Sequence, residues 1–382
     1  MSNWDKELLL ALQRDTEDYE GDVRKFGSGE ISAEHFRTKR VPWGIYEQRE
    51  DGTYMVRVRV TAGRLTRGQV ERLSLLSKQF GSGVLHITTR QDVQIHGACI
   101  DDTPMIMRRL LEVGLSTKGT GGNTIKNITA CPYAGVCPWE CLDVTEYAHV
   151  ITEYLVALPG SFTLPRKYKI SFSGCGVDCG LAQIADLGFI AETRDGQPGF
   201  RVLAGGGMGA HSRIASQLLP WTPAKEALRI AETIRRLLDR LGDRNNKNRA
   251  RLRFVVEKLG EQAFHEAYND ECERVIDEGV PEIETAEGIL TALKPQPEGA
   301  PPLAETHGIR YVHQRQEGWV TVPLHIRQGL ITSEDFNYLA ELASRFSIEG
   351  TLYTIRSQGI QIRFVDKKDL SLFAEQLRQR RA

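Results

Sequence analysis

The stretch IYEQREDGTYMVRVRV, residues 45–60, decides how the chain is to be read. β-Branched, aromatic and polar residues alternate on both sides of Asp51-Gly52, a hairpin-turn pair, so the stretch predicts two antiparallel strands. A helical pattern follows from Thr66 to Phe80, then a strand VLHITT (84–89), a turn and a strand VQIHG (93–97). The same order returns towards the C-terminus. Gly329 follows WVTVPLHI (319–326) as Gly63 follows YMVRVRV (54–60), and Thr354-Ile355-Arg356 matches Thr88-Thr89-Arg90, both at an offset of 266 residues. After the arginine the copies drift by one residue, with Gln94-Ile95-His96 against Gln361-Ile362-Arg363. An internal repeat of this kind predicts two small α+β half-domains, each a strand, helix, strand, strand and terminal helix.

Outward from the repeats, residues 1–40 are polar with one apolar patch, Leu8 to Leu12, which predicts a helical arm able to wrap a partner. Half-domains are expected over 41–117 and 306–382. Between them, 118–293 reads as a larger α/β domain, with strands at KYKISFSG (167–174) and LGFIAE (187–192), a Gly-rich turn after FRVLA, and two long helices over Pro223–Leu241 and Asn246–Tyr268. KPQPEGAPPLAE, 294–305, is a Pro-rich linker.

Composition narrows the function classes. The 382 residues are 41% hydrophobic and 26% charged, an ordinary globular composition with room for two or three domains. Lys+Arg 49 against Asp+Glu 50 gives a net charge of -1, so no overall field favours nucleic acid or an anionic membrane, and anion chemistry must be local. The apolar runs are strand-sized, and neither a signal peptide nor a membrane span is expected. Seven cysteines, an odd number in a long chain, do not form the framework of a disulfide-rich secreted domain. A reducing cytoplasm follows as the expected compartment.

Four cysteines form a set: Cys131 and Cys137 in CPYAGVC, and Cys175 and Cys179 in CGVDC, spaced C-x5-C, 37 residues, C-x3-C. Glycines flank both pairs and allow the backbone to approach a bulky group. Soft thiolates in this number suit zinc or iron–sulfur chemistry, and C-x5-C is a poor zinc knuckle. Cys141 offers a third thiol in the first loop, so spacing alone leaves open which two bind. Cys99 and Cys272 stand isolated and read as structural. A positive constellation lies beside these loops. Arg57 and Arg59 share one strand face, Lys167 and Lys169 another, with Arg90, Lys126 and Arg166 added. Together they predict a bound polyanion. Gly205 to Ala210 meets a loose dinucleotide fingerprint, yet no acidic strand end follows it, so the turn reads as lining some other anionic ligand.

These residues resemble the siroheme-containing sulfite and nitrite reductase family. The cysteine set is similar to that family's [4Fe–4S] ligands, LHITTRQDVQIHG to its half-domain strands, LPRKYK to its active-site lysines, and FRVLAGGGMG with DRNNKNRARLRFVVEKLGEQAF to its central domain. The similarity covers about residues 40–380. It implies an α+β fold in which two ferredoxin-like half-domains flank, along the sequence, a central α/β siroheme and iron–sulfur domain. It further implies Cys131, Cys137, Cys175 and Cys179 as cluster ligands, Cys179 also bridging to siroheme. Arg57, Lys126, Lys167 and Lys169 would face the substrate anion, and Arg59, Thr88, Arg90 and Gln94 would contact siroheme. The implied activity is multi-electron reduction of sulfite to sulfide, with nitrite to ammonia as the alternative. A separate ferredoxin or flavoprotein would supply electrons.

Three departures accompany the resemblance. Lys126 stands where the family has an arginine, keeping charge and losing bidentate geometry. Val177 replaces an asparagine common in the C-x3-C loop. The chain carries one central domain, whereas family monomers usually carry two, which implies a homodimer or a heterodimer with a related subunit. Two other readings stay open: an enzyme resembling precorrin-3B synthase, and a non-catalytic partner subunit of a two-subunit reductase.

Overall fold

The computed structural model describes residues 5–284, 299 and 301–381. Of these, the residues within 1–118, 136–138 and 299–382 form one compact unit, and those within 119–135 and 139–298 form another. The two half-domains expected as separate domains therefore share a single unit. Most of the 294–305 linker lies outside the described residues.

The repeat is visible element by element in the first unit. Strands Thr53–Val58 and Trp319–Leu324, helices Arg67–Phe80 and Ser333–Phe346, strands Val84–Ile87 and Thr351–Thr354, and strands Val93–Cys99 and Ile360–Asp366 correspond. The helices keep the expected offset of 266. The drift falls earlier than the sequence suggested: it lies in the connection after the helices, Gly81 to Gly83 in one copy and Ser347 to Gly350 in the other. Thr354 is consequently the counterpart of Ile87, and Arg356 is not that of Arg90. Thr66 caps its helix reciprocally with Gln69, a capping box that sets the start at Arg67.

The copies exchange strands. Arg64–Thr66 of the first pairs antiparallel with Thr351–Tyr353, and Leu330–Thr332 of the second pairs with Val84–His86, so each sheet ends on the other repeat's strand. Gly63 makes the crossing possible. It has a φ of +76°, and a Cβ there would stand 2.2 Å from Thr354 O. One apolar core spans both sheets. The N-terminal arm belongs to it: helix Lys6–Gly27 buries Tyr19 and Val23, helix Ala33–Arg40 buries Phe36, and Tyr19 Oη shares a 3.1 Å hydrogen bond with Thr103 Oγ1. The arm thus covers its own unit through Tyr19, Val23 and Phe36, while Leu10 of the apolar patch stays 49% exposed.

The second unit is built on a five-stranded sheet. Thr129–Ala130, Ile170–Ser173 and Leu187–Arg194 run parallel, followed by antiparallel Gln197–Ala204 and Ser216–Pro223. Within it Phe172 and Phe189 stack at 4.5 Å between centroids, and Phe200 meets both edge-on. Helix Ala227–Leu241 is as expected, but the second expected helix is broken: Leu252–Leu259 stops at Gly260, φ 78°, and Glu261–Asp277 begins anew. A left-handed glycine ends a helix even inside an apolar period.

Candidate functional site

In the second unit the two cysteine loops follow the parallel strands Thr129–Ala130 and Ile170–Ser173. Cys131 N–H donates to Phe172 O (2.8 Å) and Cys141 N–H to Gly174 O (2.8 Å), which ties the first loop to the second strand. The C-x3-C loop is governed by Asp178, a residue the sequence reading passed over. It sits in the left-handed region at φ 57°, a conformation aspartate tolerates. Its Oδ1 accepts from Ser173 Oγ (2.5 Å) and Ala182 N (2.7 Å), and its Oδ2 from Gln183 N (3.1 Å). The loop then folds down onto the sheet, with Ser171 Oγ donating to Gly180 O at 2.6 Å. Only glycine permits this approach, since a Cβ on Gly180 would stand 2.1 Å from Phe172 O.

Cys131, Cys175 and Cys179 belong to this unit. Cys137 lies in the 136–138 segment of the first unit, where Arg315 N–H donates to Val136 O (2.9 Å). A hydrogen bond from Cys131 holds the Cys179 thiol below its ordinary range, whereas burial pushes Cys141 up to about 11, with a hydrogen bond from Thr193 opposing. As the side chains stand, no group of three or more His, Cys, Asp or Glu among the described residues could hold a metal ion. The donors nonetheless fit an iron–sulfur cluster in kind: thiols on glycine-bearing loops, two of them in contact.

The three lysines share the face on which this loop lies. Ile125 pairs parallel with Tyr168, and Lys126 N–H donates to Tyr168 O (2.8 Å). Tyr168 is buried and its Oη donates to Ala231 O, so Lys126, Lys167 and Lys169, one residue out of phase, point to the opposite side. Lys169 is two residues, about 7 Å along the strand, from Ser171, whose hydroxyl holds the residue after Cys179. Lys169 N–H is anchored by Asp186 Oδ2 (3.0 Å), itself paired with buried Arg251 (2.7 Å). Lys126 is 8% exposed and its Nζ donates to Thr124 Oγ1 (3.2 Å).

The Gly-rich turn is organised by cations of this same unit. Arg253 Nη1 donates to Met208 O (3.3 Å), and Gly207 and Arg213 exchange backbone hydrogen bonds (2.9 Å each).

The arginine face of the first unit is a network. Arg57 stands opposite Gln94 in the ladder. With its amide turned to suit its neighbours, Gln94 Oε1 accepts from Arg57 Nη2 (3.0 Å) and Nε (3.1 Å), while its Nε2 donates to His86 Nδ1 (2.8 Å) and His96 Nε2 (3.1 Å). The Tyr46 ring lies 5.5 Å from the guanidinium. His86, His96 and Tyr46 lie outside the residues singled out from the sequence, although the alternation of HITT and QIH places the two histidines on one face with Gln94.

Arg59 and Thr88 also serve the fold. Arg59 is 2% exposed, and its Nη2 donates to Lys118 O (3.1 Å), so part of its fork serves the fold. Burial pulls its pKa down to about 10, with Asp92 opposing. Thr88 Oγ1 accepts from Arg90 N (3.2 Å) and Asp92 N (3.0 Å), so it shapes the turn that carries Arg90. Buried Asp92 lies beside Arg57, Arg59 and Arg90.

The profile described as "Nitrite and sulphite reductase 4Fe-4S domain" matches residues 121–275, and "Nitrite/Sulfite reductase ferredoxin-like half domain" matches 46–113 and 312–380. Ferredoxin–nitrite reductase of Synechococcus elongatus is 29% identical over 89% of this chain and 65% of its own length. The chloroplastic ferredoxin–nitrite reductase of Arabidopsis thaliana is 27% identical over 80% and 52%. The chain therefore spans about half to two-thirds of the length of these relatives. The solved NirA protein of Mycobacterium tuberculosis shares the fold, with a TM-score of 0.77 at 24% identity over 91% of this chain and 64% of its own. These matches imply a [4Fe–4S] cluster and siroheme as cofactors. With both domain types matched in order, half-domain, 4Fe–4S domain, half-domain, the chain belongs to the nitrite and sulphite reductase family.

Proposed function

We propose that this chain reduces nitrite to ammonia with electrons from a ferredoxin, the two oxygens leaving as water. The observation that carries the reading is the single sheet face on which Lys126, Lys167 and Lys169 lie together with the folded-down loop of Cys175 and Cys179. Nitrite takes precedence over the sulfite expected from sequence because the matched relatives are named ferredoxin–nitrite reductases. When bound, siroheme supplies the iron that takes the substrate and the cluster supplies the electrons. The cluster would be held by Cys131, Cys137, Cys175 and Cys179.

The chain's own residues account for the remainder. Three ammonium groups on one face concentrate positive charge where an anion binds and where negative charge grows on its oxygens, and they hold protons for the departing water. Arg57, locked by Gln94, offers a guanidinium whose orientation costs nothing to fix at the moment of reaction. Arg90, on the turn held by Thr88, would serve a siroheme carboxylate. We further propose that two chains, or this chain and a related subunit, assemble in solution, which sedimentation of the loaded protein would test.

The deciding assay is anaerobic turnover with dithionite-reduced methyl viologen, nitrite and sulfite in parallel. Nitrite should be preferred by at least about tenfold in kcat/KM. Equal or reversed preference would return the reading to sulfite. No turnover of either by protein with both cofactors at full stoichiometry would mark a non-catalytic subunit.

A further inference from the structure

The same turn occurs in both repeats, and only one copy carries an acid in it. In the first, Thr88 N–H donates to Asp92 O (2.9 Å) and Gln91 takes a φ of 64°. In the second, Ile355 N–H donates to Gly359 O (3.0 Å) and Gln358 takes a φ of 63°. Asp92 precedes the ladder pair Val93–Val58 as Gly359 precedes Ile360–Leu324, so the two positions correspond. The turn closes on Gly359 without any side chain, so its geometry does not call for a carboxylate at Asp92.

Asp92 is nonetheless buried, at 4% exposure. Val60 N–H donates to its carboxylate, while Oδ1 accepts no hydrogen bond among the described residues. Holding an anion out of water is costly unless nearby charge offsets it. The charged groups that face it are Arg57 and Arg59 from the neighbouring strand and Arg90 from its own turn. In the second repeat Pro323, His325 and Ser357 stand in their places, so the acid goes with the three arginines and is missing where they are missing. Asp92 lies two residues, about 7 Å along the strand, from Gln94, which stands opposite Arg57. Burial pushes its carboxyl above the usual range, and the arginines and the Val60 N–H oppose this.

We infer that Asp92 is a specificity-determining residue, a fixed negative charge behind Arg57 that admits a monoanion and penalises a dianion. The inference rests on the reading that Arg57 faces the substrate anion. A unit charge repels a dianion with twice the energy it exerts on a monoanion at the same place, so the dianion's affinity falls by the square of the monoanion's factor. Nitrite is a monoanion, and sulfite above neutral pH is mainly a dianion. The preference for nitrite thus has a source among this chain's own residues, and it works by repulsion of the competitor.

Spectral titration of the oxidised, cofactor-loaded protein with nitrite and with sulfite, without an electron donor, tests this in the parent, Asp92→Asn and Asp92→Ser. In both variants at about pH 8, Kd for nitrite should fall about fivefold and Kd for sulfite about 25-fold, which narrows the preference about fivefold. Carbon monoxide, a neutral haem ligand, should bind the reduced parent and variants alike. Unchanged affinities for both anions would overturn the inference. So would equal shifts for nitrite and sulfite, a shift for carbon monoxide as well, or opposite shifts in the asparagine and serine variants, since each would make Asp92 a packing residue. A parent with siroheme at full stoichiometry that bound neither anion would remove the reading itself, and the inference with it.

Discussion

The first and second repeats have one backbone and two different surfaces. Gly63 and Gly329 cross between sheets at φ 76° and 71°, each preceded by a left-handed residue, Ala62 and Gln328, and the turns at Gln91 and Gln358 match at 64° and 63°. The side chains diverge on this common frame. Arg57 faces Pro323 in the correspondence, His86 faces Tyr353, and His96 faces Arg363. Gln94 grips a guanidinium, whereas buried Gln361 has none in its hydrogen bonds, and Arg363 lies 3.4 Å from the Tyr353 ring. What closes the two sheets on each other is common to both copies, and the Arg57–Gln94 pair belongs to the first.

This contrast can be broken by substitution. Gly63→Ala should be the most damaging change, because its Cβ meets the Thr354 carbonyl in a left-handed conformation; a loss of about 4 kcal/mol in chemical denaturation is expected. Gly329→Ala, with Ile87 O at 2.6 Å, should cost slightly less. Gly83→Ala, with an equally positive φ and nothing within 4 Å, should cost only about 1 kcal/mol. If all three behaved alike, the strand exchange would not be the rigid element described.

In the other unit, Asp178→Ala removes the acceptor of three hydrogen bonds and should cost about 3 kcal/mol, with iron content after anaerobic reconstitution falling alongside. Retained iron would show that the loop holds its thiols without that carboxylate. Gln94→Leu should leave the fold intact but lower kcat/KM for nitrite about 100-fold by releasing Arg57, while Gln361→Leu should leave turnover at the parent value. Similar losses at both positions would erase the functional difference between the repeats. The smallest effect belongs to Asp335→Ala, which removes a half-exposed ion pair with Arg380 and should shift stability by about 0.5 kcal/mol or less.

Local signals carried much of this to the sequence level. Asp51-Gly52 turned a hairpin, the apolar period from Thr66 to Phe80 marked a helix, and the glycine-flanked cysteines marked the loops. Relations set by long-range packing were not legible. The exchange of strands joins residues 64–66 to 351–353 and has no local signature, so two half-domains read as separate bodies are one. The one-residue drift was misplaced because Thr-Ile-Arg matches Thr-Thr-Arg by composition, while the ladder aligns Thr354 with Ile87. In the site, cysteines and lysines were readable by type and spacing. Asp178, His86 and His96 were not, since a carboxylate that closes a turn and imidazoles that hold an amide look like ordinary polar residues until their partners are in place.

The central claim is that this fold carries siroheme beside a [4Fe–4S] cluster. The most direct test is an anaerobic visible spectrum of the intact protein, with iron, acid-labile sulfide and extractable siroheme measured on the same sample, for the parent and for Cys179→Ser. A siroheme Soret band with five irons, four of them from the cluster, and four acid-labile sulfides per siroheme in the parent, lost in the variant, is the predicted result. A cluster without siroheme in the parent, or a spectrum that Cys179→Ser leaves unchanged, would contradict it.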